Sequence, residues 1–550
     1  MKQAKKIIAM ILAIVVFAAL VTACNSKNDN NVSSSNNNSN VSSSDNSSNT
    51  STSPQESTPA IIVQAPPSAS DKPIKYAEEF TYITESGIAA INVHSTAGHG
   101  PGNTHTYRAI SDTLLYMEMD GTLVPMLATS YETEDYITWV FHLRDDVYFH
   151  NGDKFTAKDV IYTWSSALDK LGSPAIDNWA YVKEMTALDD YTVEFVLNNP
   201  FIDFKFNMSA AQAIILNERA IAEDPEKGYW VGTGAFKVVE FVSGDYVVFE
   251  RNEDYWAGLP PTKRMKWWYV PEASSRTIMI QTGEAQMVMS LPMNDFDLFM
   301  NKPEYGFMPI TQQNSVIIAF NLDDPICGDL NFRKAVAYAI DTEELAILAR
   351  GAHYELQDDG AVWGLTTPYR NTNIPKLERD LDKAKEFLEA SNYDSSVIEY
   401  TSSGGGGEVL QAQLAQIGIK LELNVMDMAS FSAYTAYGNN QAQMIGGPAL
   451  ISATPGSGYR MNFNPGMGNN KYQYNNPVFT EKLADAMSTP DGDDRRDKFF
   501  ELQEIIDNDI PCIPLYYARS NIVSVKGFGG IAVTASMAID FRFAYWILDD

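Results

Sequence analysis

The chain has 550 residues, with 70 Asp plus Glu against 40 Lys plus Arg, for a formal net charge of −30. One hydrophobic core stops growing at about 250–300 residues, so this length excludes a single compact domain; 45% hydrophobic and 11% aromatic content exclude wholesale disorder. The acidic balance disfavours tracking a phosphate backbone, so no nucleic-acid partner is expected, and three cysteines without a C-x-x-C pair exclude a disulfide framework and a structural zinc site.

Lys2, Lys5 and Lys6 precede an apolar run over 7–21 that ends in VTAC at 21–24. The run is shorter than the about 20 residues of a spanning helix and has the form of a secretory signal, which places the rest of the chain outside the cytoplasm. VTAC resembles a bacterial lipobox, and that resemblance implies cleavage after residue 23 and lipidation of Cys24. Acyl chains at about 0.8 kcal/mol per buried methylene then anchor the protein to the outer face of the cell membrane. Residues 24–75, rich in Ser and Asn and without apolar periodicity, read as a disordered tether. Its root-mean-square reach is roughly 40 Å. In an oxidising compartment the remaining cysteines, Cys327 and Cys512, are candidates for one disulfide.

Further along, strands and helices interleave with no fixed repeat, the pattern of an α/β protein. Ile137, Trp139, Phe141 and Leu143 alternate with polar or smaller residues, as in a strand with one buried face, and 147–150 before the Asn151-Gly152 turn reads as its partner. Thr156 and Asp159 ahead of Val160, Ile161, Trp164 and Leu168 predict a capped helix burying one stripe. Tyr191, Val193, Phe195 and Leu197 predict another strand. Phe332, Val336, Ala337 and Ile340 mark a helix face, Asp341 or Thr342 caps a second helix ending at Gly351, and further helices are expected at 382–390, 408–416, 478–487 and 496–507. No later stretch holds 18 consecutive apolar residues.

Several segments in order narrow the class. LVPMLA at 123–128 is followed by WVFHLR at 139–144, FHNG at 149–152 and FTAKDV at 155–160. GTGAFK at 232–237 leads to RNEDYW at 251–256, then FNL at 320–322, RKAVAYAID at 333–341, YNNP at 474–477 and IPCIPLYY at 510–517. Together, over residues 76–550, they resemble the extracytoplasmic solute-binding proteins, family 5, that serve oligopeptide, dipeptide and nickel ABC importers. The resemblance implies a two-lobed clamp of the periplasmic-binding-protein type (type II, large cluster C), each lobe a mixed sheet flanked by helices, with two crossover strands as hinge. It implies lobe 1 at 76–320 plus 519–550 and lobe 2 at 321–518. It further implies a monomeric lipoprotein that captures a small solute, foremost a peptide, and delivers it to an ABC permease and its ATPase. No cofactor, metal or catalytic residue is implied, and Trp139, Trp164, Tyr255 and Trp256 are assigned to scaffold.

In peptide-binding relatives an acidic residue of lobe 2 anchors the ligand's amino terminus, and in some an arginine takes the carboxylate. Here the segment for the acid reads MIGGPAL at 444–450, with no Asp or Glu up to Asn462, and that for the arginine reads TSSGGGG at 401–407. Both charged anchors are missing, which leaves polar and aromatic candidates for ligand contact: His94, Gly100, Asn103, Thr104, Trp363, Ser402, Gly446 and Tyr459. Trp363 and Tyr459 are assigned to loops, where a ring stacks on a sugar, a heterocycle or a peptide side chain. Three of the six histidines lie within 94–105, but their spacings of five and six suit no helix face and no nearby acid completes a metal set, so they read as polar cleft lining. The glycine run before Glu408 reads either as an anion cradle or as a plain loop; without a following Lys-Ser or Lys-Thr it is no P-loop.

Two alternatives keep the fold: a surface sensor or pheromone receptor, and a binder of an oligosaccharide or metal chelate. A secreted hydrolase finds no H-E-x-x-H, G-x-S-x-G or S-x-x-K set to rest on.

Overall fold

The computed structural model of the protein describes residues 75–548 apart from 86, 96–100, 169–180, 351–354, 357–359, 363–368, 404–406, 439, 448–454, 468 and 535–537. The expected signal segment and Cys24 lie outside the described residues. Strand β1 (Glu79–Thr84) and helix α1 (Pro101–Ile110) come first. A four-stranded antiparallel sheet follows, in the order β2 (Ala128–Glu132), β3 (Thr138–Leu143), β5 (Thr192–Leu197), β4 (Val182–Asp189). Its alternation matches the expected period: Trp139, Phe141 and Leu143 of β3 and Val193, Phe195 and Leu197 of β5 are buried, with Trp139 opposite Phe195. Helix α2 (Ala157–Leu168) lays Val160 and Trp164 on that face. It starts where the Asp159 carboxylate accepts the Thr156 backbone N–H at 2.8 Å and the Thr156 hydroxyl at 3.1 Å.

Residues 147–150 are not the partner of β3, both of whose edges are taken by β2 and β5. They fold back locally instead, the Phe149 N–H donating to Asp153 O at 2.8 Å and the Phe155 N–H to Val147 O at 3.1 Å. Gly152, at φ 85°, makes that reversal in the left-handed region glycine tolerates.

The next strands are β6 (Phe236–Val242), β7 (Tyr246–Arg251), β8 (Arg264–Tyr269), β9 (Met287–Met289) and the long β10 (Tyr305–Phe320). Helix α3 (Leu330–Ala339), β11 (Val397–Ser402), α4 (Gly407–Ala415), β12 (Lys420–Val425) and β13 (Met444–Gly446) follow. Helices α5 (Pro455–Phe463), α6 (Pro477–Ser488) and α7 (Asp493–Asp509) lead into a second long strand, β14 (Cys512–Val525). The helices expected from the sequence all form, those at Thr342–Arg350 and Leu381–Glu389 included. No described helix is long and apolar enough to cross a membrane.

These strands make one sheet in the order β12-β11-β13-β10-β14-β9-β1-β8-β7-β6. Strand β1 lies parallel to β8 and β9 on either side, and β11 lies parallel to β12 and β13. Between these triplets β10 and β14 run antiparallel from Tyr305 opposite Val525 to Ala319 opposite Cys512, with register shifts between Thr311/Ser315 and Val316/Ile317. The sheet thus has a β1 half and a β11 half, joined by two continuous strands.

Tyr82, Phe249, Met265 and Trp267 form a core on the β1 side and Phe332, Val336, Ile398 and Leu414 one on the β11 side, while a further cluster joins Trp139, Phe195 and Phe204 to Phe479, Phe499 and Cys512. Trp139, Trp164 and Tyr255 are buried and Trp256 packs partly buried, as scaffold residues do. The chain's last residues seal the β1 half: the Ala77 N–H donates to Trp546 O at 2.7 Å, and Met287 of β9 pairs with Ser524 of β14. Under this seal Asp112 accepts hydrogen bonds from Trp256 Nε1 at 2.8 Å, the Tyr255 hydroxyl at 3.1 Å and the Thr233 hydroxyl at 3.1 Å. Arg542 grips Asp540 at 2.7 Å beside it. Burial pushes the Asp112 carboxyl up to about 6, against the pull of Arg542 and the three donors. Cys327 and Cys512 are free rather than paired, and each is buried in a different apolar cluster.

Candidate functional site

A strand with parallel neighbours on both sides is flanked by crossovers that diverge, and the divergence opens a crevice at its carboxyl end. Strands β1 and β11 both meet that condition. The end of β1 is Thr84; the end of β11 is Ser402, in register with Gly446 of β13 and Val425 of β12. Of the segments singled out in the sequence, the one at 94–105 follows the end of β1, and Thr401, Ser402, Met444, Ile445 and Gly446 form the paired ends of β11 and β13.

On the β1 side, His94 is buried and its Nε2 lies 3.1 Å from the Ser166 hydroxyl. That hydroxyl also lies 3.0 Å from Thr163 O, to which it can donate. Asn103 is buried too, its amide donating to Ala90 O at 2.5 Å and so tying helix α1 to the loop after β1. Thr104 is half-buried on α1, and Gly100 lies outside the described residues. His105 accepts the Ile539 N–H on Nδ1 at 2.7 Å; burial, then Arg108, lower it to about 4, so it is a neutral scaffold group. Among the described residues no three His, Cys, Asp or Glu side chains gather to hold a metal ion.

On the β11 side, Ser402 is buried and its carbonyl accepts the Met426 N–H at 3.0 Å. A Cβ on Gly446 beside it would run into the Tyr400 hydroxyl, so a larger residue there requires the Tyr400 ring to move. Tyr459 departs from the loop assignment: it lies within helix α5, and its ring packs 5.7 Å from Phe463 and 5.9 Å from Phe479. The helical period of Tyr459 and Phe463, four apart, is the signal that finds it. Trp363 lies outside the described residues. Strand pairing therefore brings Ser402 and Gly446 together, whereas His94 and Asn103 serve the β1 side and Tyr459 a separate aromatic cluster.

Two groups escaped the sequence reading. Arg370 donates from Nη1 to the Tyr517 hydroxyl, which places a guanidinium on β14 at the position opposite Ser315 of β10. The other is an ion network. Arg495 Nη2 donates to Asp203 Oδ1 at 2.7 Å, with both side chains wholly buried, and Gly456 N–H donates to Asp203 Oδ2 at 2.9 Å. Asp491 accepts from Arg495, from Lys205 at 2.7 Å and from the Tyr369 hydroxyl at 2.8 Å. Burial works to raise the Asp491 carboxyl, but Lys205 and Tyr369 outweigh it and hold it at about 2. No local pattern marks partners almost 300 residues apart in the chain.

Residues 122–470 match the model of the bacterial extracellular solute-binding proteins, family 5, middle region. The nickel-binding periplasmic protein of Escherichia coli K12 is 23% identical over 496 residues, covering 82% of this chain and 92% of that protein. The glutathione-binding protein GsiB of Pectobacterium atrosepticum is 25% identical over 464 residues, covering 78% of this chain and 87% of its own. Among solved structures, the periplasmic binding protein DppA of Helicobacter pylori, in complex with the peptide STSA, shares the fold with a TM-score of 0.74 at 22% identity, covering 86% of this chain and 99% of that one.

Proposed function

Because the chain belongs to the bacterial extracellular solute-binding proteins of family 5, we propose that it is a surface-anchored receptor that encloses a small solute, foremost a peptide, and hands it to an ABC permease driven by its ATPase. The observation that carries this reading is the pair of long strands β10 and β14. They join two crevice-forming triplets, and they lose register at Thr311/Ser315, where a hinge would bend. In this reading lobe 1 is 76–320 with 519–550 and lobe 2 is 321–518. Lipidated Cys24 and the tether over 24–75 hold a monomeric clamp within reach of the membrane. The clamp performs no chemistry; the ligand's preference for the closed form drives closure, and the permease reads that form.

With neither charged peptide anchor in place, peptide binding would rest on main-chain hydrogen bonds at the ends of β11 and β13, near Ser402 and Gly446. A second reading, a metal chelate, is supported by the nickel-binding relative. A chelate brings its own ligands, which suits described residues that offer no cluster of three. Native mass spectrometry of the full chain purified from rich medium, before and after gentle unfolding, separates these. A released ladder of peptide masses supports the first reading; a single non-peptide mass, or an empty protein that ignores a peptide library, overturns it.

A further inference from the structure

The segment that carries Asp203 stays with the β1 half, where the Leu115 N–H donates to Met208 O at 3.2 Å and the Ile215 N–H to Asp112 O at 3.0 Å. Helix α7 stays with the β11 half, where Arg333 donates to Asp509 O at 2.8 Å and Gln503 to Tyr369 O at 2.7 Å. Asp203 nevertheless takes both of its charge-assisted bonds from the other side: one from Arg495 of α7, one from the Gly456 N–H in the first turn of α5. Two further contacts cross at the same place. Lys205 meets Asp491 at 2.7 Å, and the Arg460 guanidinium lies 4.7 Å over the Tyr181 ring. Gly456 is there because nothing larger fits: a Cβ would stand 2.8 Å from Asp203 Oδ2 and 2.7 Å from Met487 Cγ.

We infer that Asp203 is a positioning residue for closure, the centre of an ionic latch through which Arg495, Asp491 and Lys205 hold the two lobes together and set how closed the ligand-free receptor rests. The inference rests on the clamp reading above. Its logic is charge balance. The four groups alternate in sign and sum to zero, so the closed form buries no net charge. When the lobes part, Arg495 keeps Asp491, four residues earlier in the chain, so the second lobe retains a neutral pair and stays folded. Asp203 and Lys205 pass into water. Neutralising Asp203 leaves a net positive charge that is enclosed only when the lobes are shut, and a buried uncompensated charge disfavours the state that buries it.

The test is the distance between lobes in the full chain carrying Cys24→Ser, with spin labels on Lys183→Cys and Lys385→Cys; both lysines are exposed, and the native Cys327 and Cys512 are buried. Pulsed electron resonance on ligand-free protein is expected to show the closed-to-open ratio falling at least tenfold with Asp203→Asn. Gly456→Ala, which displaces Asp203 without removing any charge, is expected to open the clamp likewise, with an unchanged far-ultraviolet circular dichroism spectrum in both variants. Distance distributions in both variants that match the parent's overturn the latch. A casein peptide digest separates this failure from that of the clamp. If the peptides shorten the distance in the parent, the clamp reading stands while the latch falls; if calorimetry shows them binding with no change in distance in any protein, both are overturned.

Discussion

Two buried ion clusters in this molecule are built on opposite plans. Around Asp112 the charge is met mainly by neutral donors, the Trp256 indole and the Tyr255 and Thr233 hydroxyls, all within the β1 half. Around Asp203 it is met by a guanidinium and a helix-terminal N–H that belong to the other half. A carboxylate met by fixed dipoles of its own body keeps its donors in every arrangement of the molecule, although burial still raises Asp112 against them. One satisfied by donors of the other half is satisfied only while the two halves stay together. Buried charge can thus mark either a weld or a catch, and what separates the two is which body supplies the donors.

Breaking the weld has the largest expected effect. Arg542→Ala leaves Asp540 buried without its partner, and urea unfolding is expected to show a loss of about 3–5 kcal/mol. The pH dependence sharpens the same contrast. His105 and His150 are buried and neutral, each lowered from 6.5 to about 4, so the unfolded chain binds more protons in that window and stability falls as pH drops through it. Each contributes about 3 kcal/mol of that loss at 1.36 kcal/mol per pH unit. Asp112 runs the other way: its folded value is raised from 3.8 to about 6, so its contribution is present below this window and is lost as pH rises through it. Urea midpoints measured from pH 7 to 4 are expected to fall more steeply in Asp112→Asn than in the parent, and less steeply in His150→Gln.

Disturbing the catch is expected to cost less. In a rigid core the Gly456→Ala overlap would cost about 1–3 kcal/mol; here the lobes part to relieve it, and the urea midpoint is expected to move by less than that range while the clamp opens. Lys205→Ala is expected to be the mildest, about 0.2–1 kcal/mol by urea unfolding, because its partner Asp491 is half exposed.

What the sequence made legible was local or ordered along the chain. The alternation at Trp139, Phe141 and Leu143, the cap at Thr156 and Asp159, and the helix stripes are set by neighbours in sequence, and each forms as expected. The motif order carried the family resemblance, which the match over residues 122–470 bears out. The 147–150 assignment failed because a tight turn specifies a reversal and says nothing of which strand already fills an edge. The loop assignment of Tyr459 followed the small residues around it and overlooked the aromatic spacing that buries its ring. Sheet order, the β10–β14 pairing and the Asp203–Arg495 contact depend on partners brought together only by the finished fold.

The pairing of β14 with β9, and of the last residues with Ala77, also fixes an order of events in time. The β1 half is made first but lacks its inner strand until residues 522–524 exist and its seal until Trp546 does. The β11 half draws on one continuous stretch between the two long strands, with shorter loops to close. In refolding followed by hydrogen exchange, amides of β11 and β13 should therefore gain protection before those of β1, so that the part of the protein synthesised earliest is the last to become solid.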